Sequence, residues 1–138
     1  MNPEHIQAEL KRGQESLEAA RVLLRARLYA DAISRAYYAV MHSARAALLF
    51  HDEITESHAA LRNRFGTVLV RPGLVEREWA RILAAEEDER MTADYQASVG
   101  SSPETCRECV SDAERFVERM RRYLAEQGPP TEEGGPTG

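Results

Sequence analysis

Apolar residues recur at spacings of three and four along most of the chain, which is the period of amphipathic helices. No alternating apolar and polar run is long enough to predict a strand. The sequence therefore predicts an all-α fold, an antiparallel up-and-down bundle of about five helices over residues 1–126. Residues 127–138 hold mostly Pro, Gly, Thr and Glu and have nothing to bury, which predicts a disordered tail.

Two long helices are predicted first. Asn2 is a suitable N-cap, Pro3 fits the first helical position, and Glu4 complements the helix dipole in the first turn. This helix is expected to reach about residue 28. Its apolar face comprises Ile6, Leu10, Leu17, Leu24 and Leu28. The second helix is expected from Asp31 to about Phe50, because alanine-rich sequence without Gly or Pro gives it no reason to stop earlier.

Two further helices occupy the middle of the chain. Thr55 or Ser57 can cap a shorter third helix, which Arg71-Pro72-Gly73 ends. Its expected inward residues are Leu61, Phe65, Val68 and Leu69. A fourth helix is expected over about Leu74 to Ala97. Its expected inward residues are Val75, Trp79, Ile82 and Leu83. We interpret the acidic run Glu86-Glu87-Asp88-Glu89 as a solvated face.

The fifth helix has the clearest apolar stripe. Ser102 as cap, Pro103 at the first position and Glu104 in the first turn predict its start. The stripe comprises Cys106, Cys109, Val110, Ala113, Phe116, Val117, Met120, Tyr123 and Leu124. The two cysteines have a zinc-like spacing, but no second Cys/His pair accompanies them, so core packing is favoured over a metal site. Two cysteines also make no disulfide framework, which fits a reducing compartment.

The second helix carries two different stripes. One is apolar and comprises Ile33, Tyr37, Val40, Ala44 and Ala47. The other, called the polar seam below, comprises Asp31, Arg35, Tyr38, His42, Arg45 and Leu49. Arg35 and His42 are seven positions apart, so they differ by about 20° in direction and by about 10.5 Å along the axis. Two such groups on one face of a mostly buried helix are either a site or structural groups. In the structural interpretation Arg35 pairs with Asp31, and His42 is a neutral histidine bonded to a neighbour.

Charge limits the classes of partner. The formal net charge is −5, so the chain is not a generically basic nucleic-acid binder. Lys11 is the only lysine among 18 basic residues, and the arginines would have to be concentrated on one face to bind RNA. No apolar stretch approaches the roughly 18–20 residues of a membrane span, and no signal peptide is evident, so we expect a cytoplasmic protein.

The amino-acid sequence of the second helix resembles that of a known family. The segment 34–49, SRAYYAVMHSARAALL, looks like the signature helix of HEPN (higher eukaryotes and prokaryotes nucleotide-binding) domains. His58, the stretch Arg71-Pro72-Gly73-Leu74-Val75 and the stretch Arg90-Met91-Thr92-Ala93-Asp94-Tyr95 are similar in order and spacing to a small single-domain bacterial and archaeal branch. The resemblance covers about residues 5–125.

The resemblance implies a chemistry for the polar seam. In the family an Arg followed by four to six residues and a His is a ribonuclease motif, which Arg35 and His42 match at the longest spacing. Members often form dimers through this helix, and many are toxins encoded beside a small nucleotidyltransferase antitoxin. Asp31, Tyr38 and Arg45 would support the pair. Candidate cleft residues are His58, Arg90, Asp94 and Tyr95. A toxin branch with a shorter spacing has a modified Tyr two positions after the His, where this chain has Ala44.

Two functions are consistent with these observations. The first is a homodimeric toxin-type endoribonuclease that needs no metal or cofactor, with RNA as substrate and Arg35 and His42 as catalytic residues. The second is a non-catalytic helical module that binds a nucleotide or a partner nucleotidyltransferase through the same seam. The intact pair favours the first, and the negative net charge favours the second. His51 and His58 flank a loop, where they either line a cleft or are merely exposed or capping.

Overall fold

A computed structural model describes residues 2–95 and 100–127, which are helical and contain no strand. They form α1 (Pro3–Arg25), α2 (Tyr29–Leu49), α3 (His58–Arg64), a π-helical segment (Phe65–Val70), α4 (Arg77–Tyr95) and α5 (Pro103–Glu126). The predicted all-α bundle is confirmed. The predicted tail and the expected end of the fourth helix near Ala97 lie outside the described residues. Among those described, no helix is both long and apolar enough to cross a membrane.

A tight turn separates α1 from α2. Asn2 caps α1 as predicted, because its Oδ1 accepts hydrogen bonds from two backbone amides. The helix ends at Arg25, earlier than predicted, since Arg27 takes a left-handed conformation with φ 64° and the amide of Leu28 bonds the carbonyl of Leu23. Glycine usually occupies such a C-terminal position, so the sequence lacked the usual signal. Leu28 is consequently exposed, and its assignment to the apolar face was wrong.

Helix α2 is the centre of the bundle and packs against α1, α4 and α5. Every residue of its apolar stripe is buried. Small residues face α1: a Cβ added at Gly13 would lie 2.8 Å from the Ser43 hydroxyl oxygen and 3.2 Å from the Ala39 carbonyl oxygen. The two helices therefore approach more closely at Gly13 than larger side chains would allow.

The third predicted helix is divided into α3 and the π-helical segment. Ser57, one of the two predicted caps, accepts a hydrogen bond from the amide of Ala60, whereas Thr55 is buried and caps nothing. After Arg64 the helix widens, and the amide of Arg71 bonds the carbonyl of Gly66 at 2.9 Å, five residues back. The expected inward residues Leu61, Phe65 and Leu69 are buried, and Val68 is half-buried.

Two predictions about the fourth helix were wrong, namely its start and the exposure of its acidic run. It begins at Arg77 rather than Leu74, because Gly73 has φ 85° and the amides of Leu74 and Val75 both bond the carbonyl of Leu69. The acidic run is not a solvated face, since two of its members, Glu86 and Glu87, are 2% and 7% exposed. Both sides of α4 are covered, by α2 and by α5, so charged positions in this run fall inside the bundle.

Helix α5 matches its prediction. Ser102 caps it, and Pro103 and Glu104 occupy the first turn. The predicted stripe is buried, except for a half-buried Leu124. Cys106 and Cys109 are free thiols in this core, where burial raises the pKa of both.

Candidate functional site

The polar seam lies along a side of α2 that the other helices leave partly open. Asp31 and Arg35 are exposed, and the other four members of the seam are half-buried. Tyr37, on the apolar stripe, is fully buried, and it contacts the neighbouring Tyr38 with ring centroids 5.5 Å apart. The seam is therefore a surface feature attached to the most buried helix of the fold.

His42 is held by a carboxylate from α1. Its Nδ1 lies 2.7 Å from Oε1 of Glu9, and the two side chains are 13% and 27% exposed. The hydrogen bond from His42 is the main cause that lowers the pKa of Glu9, and Arg45 and Arg12 lower it further. An ionised carboxylate can only accept, so Nδ1 carries the proton of this bond. The other nitrogen of the neutral imidazole, Nε2, then has a free lone pair.

Glu9 is the site residue that sequence reasoning missed. Its signal was present in the antiparallel pairing of α1 and α2, which are joined by three residues. Folding the chain about that turn places residues 9–13 beside residues 39–43, as the contact of Gly13 with Ser43 shows. A carboxylate on α1 in this window was therefore a candidate partner for His42.

Arg35 is an exposed cation with no partner among the residues that the structure describes. Within the described residues it makes no hydrogen bond and no ion pair, and the pair with Asp31 that the structural interpretation requires is not formed. An arginine presents a planar fork of donors that suits a phosphate. On the same face of α2, Arg35 and His42 thus offer a free cation and an oriented imidazole.

A groove adjoins the seam where α2 ends. It has a volume of about 350 Å³ and is lined by Glu9, Arg45, Leu49, Glu53, Ile54, Thr55 and Glu56. The Nε of Arg45 is buried and has no hydrogen-bond partner in the described part of the chain. Glu9 belongs both to this groove and to the His42 pair, so the groove and the seam are continuous.

The candidate cleft residues gather elsewhere. His58 Nδ1 hydrogen-bonds the hydroxyl of the buried Tyr37, and the guanidinium of Arg90 lies 5.3 Å from the centre of the same ring. Arg90 also bonds Asp94 at 2.8 Å, whereas Tyr95 is 83% exposed. Tyr37 follows Arg35 by two positions, so the cluster around Tyr37 lies about 160° away from Arg35 about the axis of α2.

His51 has a structural partner. Its Nε2 lies 2.6 Å from the hydroxyl of Tyr123, and the two rings stack with centroids 6.1 Å apart. Burial lowers the pKa of His51, so its neutral form is favoured. This contact fastens the end of α2 to α5.

Comparison with known proteins shows the family of the chain. The chain matches the HEPN domain family over residues 6–123. It is 37% identical over 123 residues to the Methanocaldococcus jannaschii protein named "Putative toxin MJ0605", covering 89% of this chain and 91% of that protein. It is 32% identical over 127 residues to a UPF0332 protein of Gloeobacter violaceus, covering 91% of this chain and 100% of that protein. By the span of the family match and by these identities, the chain belongs to the HEPN family.

Proposed function

We propose that the chain is a toxin-type, metal-independent endoribonuclease that acts as a symmetric dimer. The observation that carries the proposal is the bond between His42 and Glu9, which orients the imidazole on the same face as the unpaired Arg35. The toxin name of the Methanocaldococcus relative supports the biological role. The match to the motif spacing of the family, with six residues between Arg35 and His42, supports the reaction.

The reaction uses the 2′-hydroxyl of the RNA as nucleophile. A base removes the proton of that hydroxyl, its oxygen bonds the adjacent phosphorus, and the bond from phosphorus to the 5′-oxygen breaks as an acid protonates that oxygen. Nε2 of His42 can take or give the proton. Arg35 stabilises the charge that builds on the phosphoryl oxygens. The products are a 2′,3′-cyclic phosphate and a 5′-hydroxyl.

A dimer supplies what one chain lacks. Each chain has one motif histidine, whereas the reaction needs both a base and an acid. A twofold axis beside the seam would bring two His42 and two Arg35 side chains to one phosphate. The half-buried Leu49 and Tyr38 offer apolar area for this contact. Replacing Leu49 with Asp should convert the dimer into a folded monomer, as measured by light scattering and circular dichroism. A dimer of unchanged affinity in this variant would refute an interface on the seam.

Cleavage of total RNA in EDTA tests the activity. His42→Ala should lower the rate by about two to four orders of magnitude, and Arg35→Ala should do comparable harm, with Arg35→Lys a poor rescue. Matched controls are His5→Ala and Arg81→Ala, which remove exposed residues outside the seam. Melting curves of all variants should stay close to the wild type. Inactive wild-type protein, or early melting of the two seam variants, would contradict catalysis.

Glu9 should act as a positioning residue. Glu9→Gln keeps a hydrogen-bond acceptor for Nδ1 of His42, whereas Glu9→Ala removes it. Glu9→Gln should therefore keep most of the cleavage rate, and Glu9→Ala should lower kcat with little change in KM. If Glu9 only helped to pack α1, Glu9→Ala would melt early and kcat would not depend on the acceptor.

The non-catalytic module is the second candidate, and the net charge of −5 favours it. In this case the seam would recognise a nucleotide or a small nucleotidyltransferase. Two results together would establish the module in place of the ribonuclease. The wild-type protein would have no nuclease activity, and it would bind a co-expressed nucleotidyltransferase that Arg35→Ala does not bind.

A further inference from the structure

The groove beside the seam contains polar groups that the fold leaves unused. The Nε of Arg45 and the hydroxyl of Thr55 are buried, and in the described residues neither has a hydrogen-bond partner. Thr55 as a whole is 8% exposed. Buried polar groups are nearly always paired, because each unpaired one costs free energy. Both residues line one groove of about 350 Å³, so a ligand bound in the groove would lie next to them.

The carboxylates of the groove are not equivalent. Glu53 accepts two hydrogen bonds from Arg64, at 2.9 and 3.1 Å, and Oε1 of Glu9 is bonded to His42. Glu56 is exposed and has no partner among the residues that the structure describes. Glu56 is therefore the carboxylate that is free to accept hydrogen bonds from a ligand.

Hydrogen bonds within the chain hold the loop beside the groove. The amide of Glu53 bonds the carbonyl of Leu48 at 3.0 Å, while the side chain of Glu53 is fastened to Arg64 on α3. This loop presents Ile54, which is 77% exposed although large and apolar. A flat ring could lie against this aliphatic side chain.

We infer that this groove is a binding site for a guanine base. Guanine carries two acceptors, O6 and N7, on one edge, which match the planar N–H fork of Arg45. Its other edge carries the N1–H and N2–H₂ donors, which match the two oxygens of Glu56. Adenine has an amino donor where guanine has O6, so it would face Arg45 with the wrong group. Cytosine offers one amino donor group to a carboxylate that can accept two.

The position of the groove gives the base a role, and this step rests on the proposed ribonuclease function. Glu9 joins the groove to His42, and Arg45 follows His42 by three positions on α2. A nucleotide whose phosphate lies at Arg35 and His42 could therefore place a neighbouring base in the groove. The substrate would be RNA cleaved next to guanine.

Binding of nucleotides tests the site without any cleavage. Calorimetry on the wild-type chain with guanosine and adenosine 3′-monophosphates should show guanosine bound about 10- to 100-fold more tightly. Glu56→Gln should reduce that preference by about tenfold or more, and Thr55→Val should weaken the binding of both nucleotides, whereas Glu15→Gln, an exposed carboxylate outside the groove, should keep both the preference and the affinity. Glu56→Gln and Thr55→Val should melt at or above the wild-type temperature, because neither side chain has a hydrogen bond to another described residue. Equal affinity for the two nucleotides would overturn the guanine site.

Cleavage of RNA tests whether the guanine belongs to an RNA substrate or to a free nucleotide. Oligoribonucleotides that differ at one position should be cut preferentially beside guanine by the wild type, and without preference by Glu56→Gln. Guanosine binding with equal cleavage of all oligonucleotides would overturn the RNA assignment in favour of a free guanine nucleotide. Guanosine binding without any RNA cleavage would refute the proposed function while supporting the site. Cleavage with neither preference nor guanosine binding would refute the site while supporting the ribonuclease.

Discussion

Glu86 is a buried carboxyl group whose removal should stabilise the protein. It is 2% exposed between α4 and α5, and within the described residues neither of its oxygens has a hydrogen-bond partner. A cavity of about 90 Å³ beside it is also lined by Glu89 of α4 and by Glu108, Cys109 and Asp112 of α5. Burial raises the pKa of Glu86 to about 9, and the charges of Asp112 and Glu89 add to the rise. Glu86 is therefore protonated at neutral pH.

The size of the effect follows from the two pKa values. In the unfolded chain Glu86 ionises near 4.5, so above that pH folding must take up a proton. Each pH unit costs about 1.4 kcal/mol of stability until the folded pKa of about 9 is passed. At pH 7.5 the accumulated cost is about 4 kcal/mol. Glu86→Gln has nearly the same shape and cannot ionise, so it should recover up to about this amount, or roughly 15 °C in Tm.

Chemical denaturation from pH 4 to pH 9 measures the prediction. Wild type and Glu86→Gln should have similar stability at pH 4, and their difference should grow steadily as the pH rises. Asp88→Asn is the matched control, because it removes a charge of the same sign from the exposed part of the same run. That control should change stability by a few tenths of a kcal/mol, with little pH dependence.

The slope of that difference decides the argument. A constant difference between wild type and Glu86→Gln across the pH range would mean that Glu86 does not take up a proton on folding. A less stable Glu86→Gln at pH 8 would mean that the carboxyl has a favourable interaction in the core. Either result would refute the reasoning.

Three further perturbations have definite outcomes. Gly13→Ala should lower the free energy of unfolding by about 1–3 kcal/mol, because the added methyl group would meet Ser43; an unchanged denaturation midpoint would show that α1 and α2 can move apart freely. Glu76→Ala should cost about 1–2 kcal/mol at pH 7, because the buried Arg119 loses its partner. Hydrogen bonds from Arg119 and the indole of Trp79 lower the pKa of Glu76 to about 2, so this cost should vanish as the pH falls from 4.5 towards 2. A difference in stability that persisted at pH 2 in denaturant melts would contradict a role for the Glu76 charge. Cutting the chain after Glu126 should leave one cooperative thermal transition within a few degrees of the original, and loss of cooperativity would show that the bundle needs residues 127–138.

Periodicity predicted the helices well where one side of a helix faces water. Helix α5 is such a case, since nearly all of its predicted stripe is buried. It failed on α4, where Glu86 and Glu87 occupy buried positions despite their charge. Charged residues are rarely buried, so a pattern of hydrophobicity assigns them to the surface. The burial of Glu86 follows from the packing of α4 between two helices, which no local pattern contains.

Local signals placed the helix starts that have a side-chain cap. Asn2, Ser57 and Ser102 act through their own side chains on the next turn, so the starts that they cap are readable from the sequence. The end of α1 depends on Arg27 in a left-handed conformation, and the widening after Arg64 begins without a side-chain cap. No residue type in the sequence indicates the end of α1 or the widening after Arg64.

The candidate site was also predictable only in part from the sequence. Packing explains why Glu9 was missed. The face shared by Arg35 and His42 follows from helical geometry alone, whereas Glu9 enters through the pairing of α1 with α2. Gly13 follows Glu9 by one helical turn and so lies on the same face of α1. Its missing side chain lets α1 approach Ser43, the residue after His42, and one turn away the Glu9 carboxylate comes within 2.7 Å of the imidazole. The close packing that holds the two helices together therefore also orients the histidine.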